Sequence, residues 1–353
     1  MKQRKNYIDY LRIFSAIGIV ILHVASEFWY RREVSTPEWS VMNLYESAVR
    51  WAVAVFIMIS GSLFLSRDIP IKTLYTKYIP RMAISYVVWS LLYATVDHYI
   101  KNGIWNLSFS ELIKRTIDGG FHMWFIPMII GLYMCVPIFK EIIKSERITR
   151  YFLALSFVFT FLIPQITQMV QDFIGGRLAW GMTLIDQFVA LKVEMNPVMG
   201  YPFYFILGYY ITTVEITPKQ RRFLYSLGII GFLGTVLFTE ILSGKAGTGQ
   251  SRYYDYCSLG TLFEAVAVHT WFRSRSYPHE GRNAVAHNLI QYTFGVYLVH
   301  VILMNILLFR LRLPALFGSA MISVPVISLM VILLSFGVTW LIHKIPVLKK
   351  WIV

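Results

Sequence analysis

Charge is scarce in this chain. Only 15% of its 353 residues are Asp, Glu, Lys or Arg, against about 25% in soluble domains. So few ionic groups exclude an ordinary water-soluble globular domain. Cysteine is rarer still: Cys135 and Cys257 are the only two, and both sit in apolar surroundings, which excludes a disulfide framework or a Cys-rich zinc site. No HExxH, GxSxG or CxxC occurs, so metalloprotease, α/β-hydrolase and dithiol redox chemistries have no foothold. The glycines of GKAGTGQ (244–250) lack the preceding strand and following helix of a P-loop or dinucleotide fingerprint. The net charge of +14 is spread between apolar runs, with no basic tract carrying interleaved aromatics. No nucleic-acid partner is expected.

What the chain has in abundance is apolar residues, 56% of the total, with a mean hydropathy of +0.56. They recur in runs long enough to cross a bilayer, at about 7–26, 45–66, 79–100, 123–139, 150–166, 199–214, 223–242, 258–273, 288–309 and 319–343. The expected fold class is all-α: a polytopic membrane protein with about ten transmembrane helices. Basic loops such as SRDIPIKTLYTKYIPR (66–81) and TPKQRRF (217–223) alternate with segments in which acids offset bases. This positive-inside pattern, with an even number of spans, places both termini in the cytoplasm. Asp9 and Arg12 interrupt the first run and argue against a cleaved signal peptide. No polar stretch is long enough to fold alone, so residues 1–353 read as one membrane domain. The longer outer segments, 101–122, 167–198 and 244–257, read either as interfacial connectors or as walls of an entry for a polar molecule.

Ionisable residues inside such runs point to function. Arg12 and His23 lie eleven residues apart in the first run; on a helix they return to within about 20° of one another, separated by roughly 16 Å along the axis. A buried guanidinium requires an anion or a water-filled cavity, so the pair suggests a channel with a cationic mouth and a potential general base deeper in. Asp9, one turn before Arg12, is placed to orient it. Glu264 lies mid-span; it reads either as a structural partner for an Arg or His or as a functional polar group. His122 beside Trp124, and His300, read either as structural residues or as members of a site. Lys77 and Arg81 fit the topology rule and also a cradle for phosphates. His98, His269, His279, His287 and His343, at span ends or in loops, receive no role.

Six segments resemble, in order, the membrane acyltransferase-3 family. YIDYLRIFSAIGIVILHV (7–24) carries an Asp-x-x-Arg start and then Arg, ten residues and His. FIMISGSLFLSRD (56–68) is similar to the family's F-x-x-S-G-x-L span, and KYIPRMAISYVVWS (77–90) to its basic entry to the third. HMWFIPMIIGLYMCVPIF (122–139) resembles the H-x-W-F/Y span, YPFYFILGYYI (201–211) the F-x-L-G-Y span, and YTFGVYLVHVIL (292–303) the S-F-G-I-Y-L-I-H segment, with Thr293 where Ser is usual. The resemblance is to the stand-alone branch. It implies transfer of an acyl group, most often acetyl from acetyl-CoA, to a hydroxyl of a carbohydrate-containing acceptor: a surface glycan, glycolipid or lipid-linked sugar of the cell envelope.

On that reading the expected location is the plasma membrane, the partners are membrane lipids and the acceptor, and no metal is needed. Arg12, Lys77, Arg81 and Ser60 are assigned to the acyl donor and His23, Arg12 and Asp9 to catalysis. His122, Trp124, Glu264, Tyr297 and His300 are the candidates for the substrate side. A secondary transporter or flippase with Arg12, His23 and Glu264 along its path, or a non-catalytic sensor, accounts for the buried charges but not for the ordered motifs.

Overall fold

The computed structural model describes residues 6–34, 36–103, 107–188, 196–277, 288–313 and 319–352. All regular structure among them is helical. The chain opens with α1 (Asn6–Trp29). Then α2 (Pro37–Ser47) and α3 (Trp51–Leu65) follow as one apolar segment interrupted by a turn at 48–50. Next come α4 (Ile71–Ile100), α5 (Phe109–Asp118), α6 (Phe125–Met134), α7 (Val136–Ile143) and α8 (Glu146–Phe173). The second half holds α9 (Gly176–Phe188), α10 (Asn196–Thr213), α11 (Pro218–Ala246) and α12 (Leu259–Arg273), then α13 (Thr293–Arg310), α14 (Ala320–Ile342) and α15 (Pro346–Trp351).

Short polar side chains set where these helices begin. Thr36, Ser108, Ser145, Thr217, Ser258 and Ser319 each accept a first-turn backbone N–H, satisfying a donor that has no partner within its helix. Thr217 and Gln220 form a reciprocal capping box, with the Thr217 N–H donating to Gln220 Oε1 at 2.9 Å.

Among the described residues, seven segments are long and apolar enough to cross a membrane: α1, α2–α3, α4, α8, α11, α13 and α14. The α6–α7 pair, bent by 58°, makes an eighth if it is one span. The remaining apolar runs, 199–214 and 258–273, form α10 and the 15-residue α12. Both contribute heavily to the interior, with Phe203, Tyr204, Phe205 and Ile206 of α10 buried.

The packing is inverted relative to a water-soluble bundle. On α11 the buried residues are Gly228, Gly231, Thr235, Thr239 and Ser243, while Ile229, Leu233 and Leu237 face outward. On α14 Ser328, Ser335 and Thr339 are buried while Leu329 and Leu333 are exposed. Water would penalise such apolar faces, whereas lipid does not. The molecule is a multi-pass membrane protein.

Proline shapes the helices that line its interior. Pro80 and Pro164 each follow a π-turn, at Leu74–Tyr78 and Phe157–Leu162; the wider turn relieves the clash between a proline ring and the carbonyl four residues back. Pro137 has no N–H to give the Tyr133 carbonyl, and the chain bends there between α6 and α7.

Two apolar clusters meet at α1. Leu11 and Ile19 join the cluster of α3, α6, α10 and α12, whereas Val20, Val24 and Phe28 join that of α2, α4, α13 and α14. Against α3, helix α10 packs backbone to backbone. A Cβ on Gly61 would collide with the Phe205 carbonyl, and one on Gly208 with the Met58 carbonyl. Only glycine allows this approach. We expect Gly61→Ala to cost about 1–3 kcal/mol or more from overpacking, read as a lowered melting temperature or loss of monodisperse protein in detergent. Gly131→Ala, with open space around it, is the control and should melt like the wild type.

Candidate active site

A cavity of about 890 Å³ opens inside the bundle. Its walls come from α1, α3, α4, α6 and α13 and from the segment around α15. Arg12 and His23 both line it, so it follows α1 for about 16 Å at 1.5 Å per residue. At the Arg12 end the wall carries Arg67, Lys77, Arg81, Lys349 and Lys350 as well. Among the described residues no Asp or Glu lines it. Such a cationic wall favours an anionic ligand. Burial first, then Lys349 and Arg81, pull the pKa of His343 on the same wall below the usual histidine value.

On the same wall, Tyr133 stacks on Phe64 with ring centroids 4.1 Å apart. It is hydrogen-bonded to Ser60 and lies within electrostatic reach of Arg12. Ser60 also donates to the Phe56 carbonyl at 3.0 Å. Asp9 is not part of the wall, although its carboxylate acts electrostatically on Arg12.

Three imidazoles converge at the other end. The His23 ring stacks on His300 at 5.2 Å and 29°, and His122 meets them edge-on at 6.1 Å and 5.2 Å. His300 Nδ1 lies 2.7 Å from the Tyr297 carbonyl and 3.1 Å from that of Val296. Carbonyls only accept, so this nitrogen carries the proton and Nε2 holds the lone pair. That Nε2, like both nitrogens of His122, is buried without a hydrogen-bond partner. His122 is held through its backbone, whose carbonyl accepts the Tyr297 hydroxyl at 2.7 Å, and through Tyr93, 4.8 Å away between rings. Trp124 lines the cavity and packs on Tyr256 at 5.2 Å and Tyr201 at 5.6 Å. Among the described residues no group of three or more His, Cys, Asp and Glu is placed to hold a metal ion.

Glu264 lies elsewhere, outside the cavity wall, within electrostatic reach of Arg50. Arg50 is buried at the turn between α2 and α3. It pairs with the fully buried Glu46 and caps the Tyr254 ring at 4.1 Å. Tyr254 in turn donates to Asn43, which donates to Glu240 at 2.7 Å. This is a buried ionic cluster behind the imidazoles; its field reaches His23.

The sequence matches the family described as "Acyltransferase domain", the acyltransferase-3 family, over residues 5–344. The chain belongs to the acyltransferase-3 family. No curated protein and no solved structure matched it.

This membrane acyltransferase brings together on one cavity Arg12, His23, Ser60, Lys77, Arg81, His122, Trp124 and Tyr297, with His300 stacked behind His23. Asp9 and Glu264 stand outside the wall. His279 and His287 lie outside the described residues. Sequence reasoning missed Tyr133, Tyr256, His343, Lys349 and Lys350 as wall residues, and it treated Arg67 as a topology signal alone. It also missed the Glu46–Arg50 pair, although an acid and a base four residues apart in an apolar run carry the same signal that singled out Arg12. The acyltransferase has no nucleophilic thiol at Cys257: burial first, then Asp255, pushes that group up to about 12, so it stays protonated.

Removing Glu46 would leave Arg50 as an unpaired buried cation. Glu46→Ala is expected to cost about 3–5 kcal/mol, measured as a fall in melting temperature of the detergent-solubilised protein. An unchanged melting temperature would show that Glu264 and the tyrosines suffice for Arg50.

Proposed function

We propose that this acyltransferase moves an acetyl or short acyl group from cytoplasmic acyl-CoA to a hydroxyl of a carbohydrate-containing acceptor at the outer side of the plasma membrane. The observation that carries this reading is one cavity that joins His23 to a cationic mouth with no acid among its described wall residues. The phosphates of the donor suit the Arg12, Lys77 and Arg81 end, where arginine offers a planar fork of donors. The pantetheine arm then follows α1, bringing the thioester carbonyl to His23. Ser60 and Tyr133, on the same wall, supply hydroxyls to that path.

In the proposed reaction the acceptor hydroxyl gives its proton to the neutral His23 imidazole as its oxygen attacks the thioester carbon. The new C–O bond forms, the C–S bond breaks, and the sulfur leaves with the proton returned by the imidazolium. General base catalysis of this kind is worth about 10²–10⁴ in rate. His300, with its proton fixed on Nδ1, and His122 pack around His23 and hold its ring in place. The aromatic wall of Trp124 and Tyr256 suits the C–H face of a sugar ring.

Two substitutions test this directly with purified protein and labelled acetyl-CoA. His23→Ala should lower acyl transfer by at least about 10² while leaving donor binding intact; normal turnover in this variant would remove His23 from the mechanism. Arg12→Ala should raise the dissociation constant for acetyl-CoA, and unchanged binding would dismiss it as a phosphate anchor. Gradient-driven uptake by proteoliposomes without thioester cleavage would favour a transporter instead. Comparison of acetyl groups on extracted glycans and lipids from a deletion strain identifies the acceptor.

A further inference from the structure

Beyond residue 344, where the family match stops, the chain turns off α14 and crosses the mouth of the cavity as α15. Pro346, Lys349, Lys350 and Trp351 all line that mouth, on the same wall as Lys77 and Arg81. The crossing is anchored at its far end to α4. The buried Ser85 donates to the Trp351 carbonyl at 3.1 Å, and the buried Trp89 Nε1 donates to the Ile352 carbonyl at 2.9 Å. Both lysines are exposed, and Lys350 Nζ sits 5.0 Å from the Trp351 ring. Two cations held over an opening whose wall, among the described residues, carries no acid are placed for a polyanion that enters there.

We infer that residues 346–352 form a strap completing the nucleotide end of the donor site, with Lys349 and Lys350 binding phosphates of acyl-CoA that the cavity floor does not reach. This rests on the proposed acyl-CoA reading of the same cavity. Arg12, Lys77 and Arg81 hold the donor from α1 and α4, and the strap closes over it from α15. The lysines act on the nucleotide alone, so the pantetheine arm and thioester are indifferent to them.

The test compares full-length wild type with the K349Q/K350Q double variant in detergent at low salt, using CoA binding by calorimetry and cleavage of S-acetyl-pantetheine, which has no nucleotide. The expected result is a CoA dissociation constant raised by about 3- to 30-fold, a difference that shrinks as salt screens it, with acetyl-pantetheine cleavage unchanged. Equal CoA affinities in the two proteins would overturn the strap and leave the lysines as topology signals. A parallel loss of acetyl-pantetheine cleavage would overturn it too, as a general distortion. Failure of the wild type itself to bind CoA would remove the donor reading and the strap together.

Discussion

A guanidinium within the width of a bilayer needs water or an anion beside it, and the architecture of this protein follows from meeting that need for Arg12. The solution is a cavity that Arg12 lines, with the Asp9 carboxylate acting on it from outside the wall. Its wall gathers five further cations and, among the described residues, no carboxylate, so its positive potential is offset only from outside, by Asp9. A structural salt bridge would have neutralised it, as happens a short distance away where Glu46 takes up Arg50. The two arginines show the same physical problem solved in opposite ways: one sealed and structural, the other open and available.

The cavity survives because the helices around it are locked by contacts that leave no slack. Gly61 and Gly208 bring α3 and α10 to backbone contact, Gly231 and Gly260 do the same for α11 and α12, and Gly228 makes room for the Ala267 side chain. Without a hydrophobic force between helices in lipid, such close packing is a main source of cohesion. It also explains why serine, threonine and glycine fill the inside of α11, and why Ser328, Ser335 and Thr339 share the inside of α14 with Val324, Ile327 and Val331, while leucine and isoleucine coat the outside. In α4, α6 and α7, π-turns and proline bends provide the irregularity that a cavity needs, close to Lys77 and Tyr133.

Much of this was legible in the sequence because it is local or periodic. The helical class and the stripe joining Arg12 to His23 follow from hydropathy and an eleven-residue spacing. Length and hydropathy single out seven or eight of the expected ten spans among the described residues, and α10 and α12, which also contribute buried side chains to the interior, are the other two apolar runs. Contacts made across the chain left less trace. Nothing local marks Tyr133 as a neighbour of Ser60 and Arg12, since the bend at Pro137 and the packing of α6 against α3 decide it. Lys349 and Lys350 look like any basic end of a membrane protein until Ser85 and Trp89 tie the segment down. Glu264, an acid in mid-span, read either as a structural partner for an Arg or His or as a functional polar group. Its placement beside Arg50 depends on α12 packing against α3, which hydropathy does not encode.

The hydrogen bond from Tyr297 to the His122 carbonyl has a mechanical consequence. His122 sits in the short connection before α6, with no side-chain hydrogen bond of its own, yet it is clasped to α13. His300 is one turn further along that same helix. Two of the three rings therefore ride on one carrier, while His23 rides on α1. A sliding or tilting of α13 against α1 would leave the spacing between His122 and His300 nearly fixed and change both of their distances to His23 at once. The cluster is built to part along a single seam.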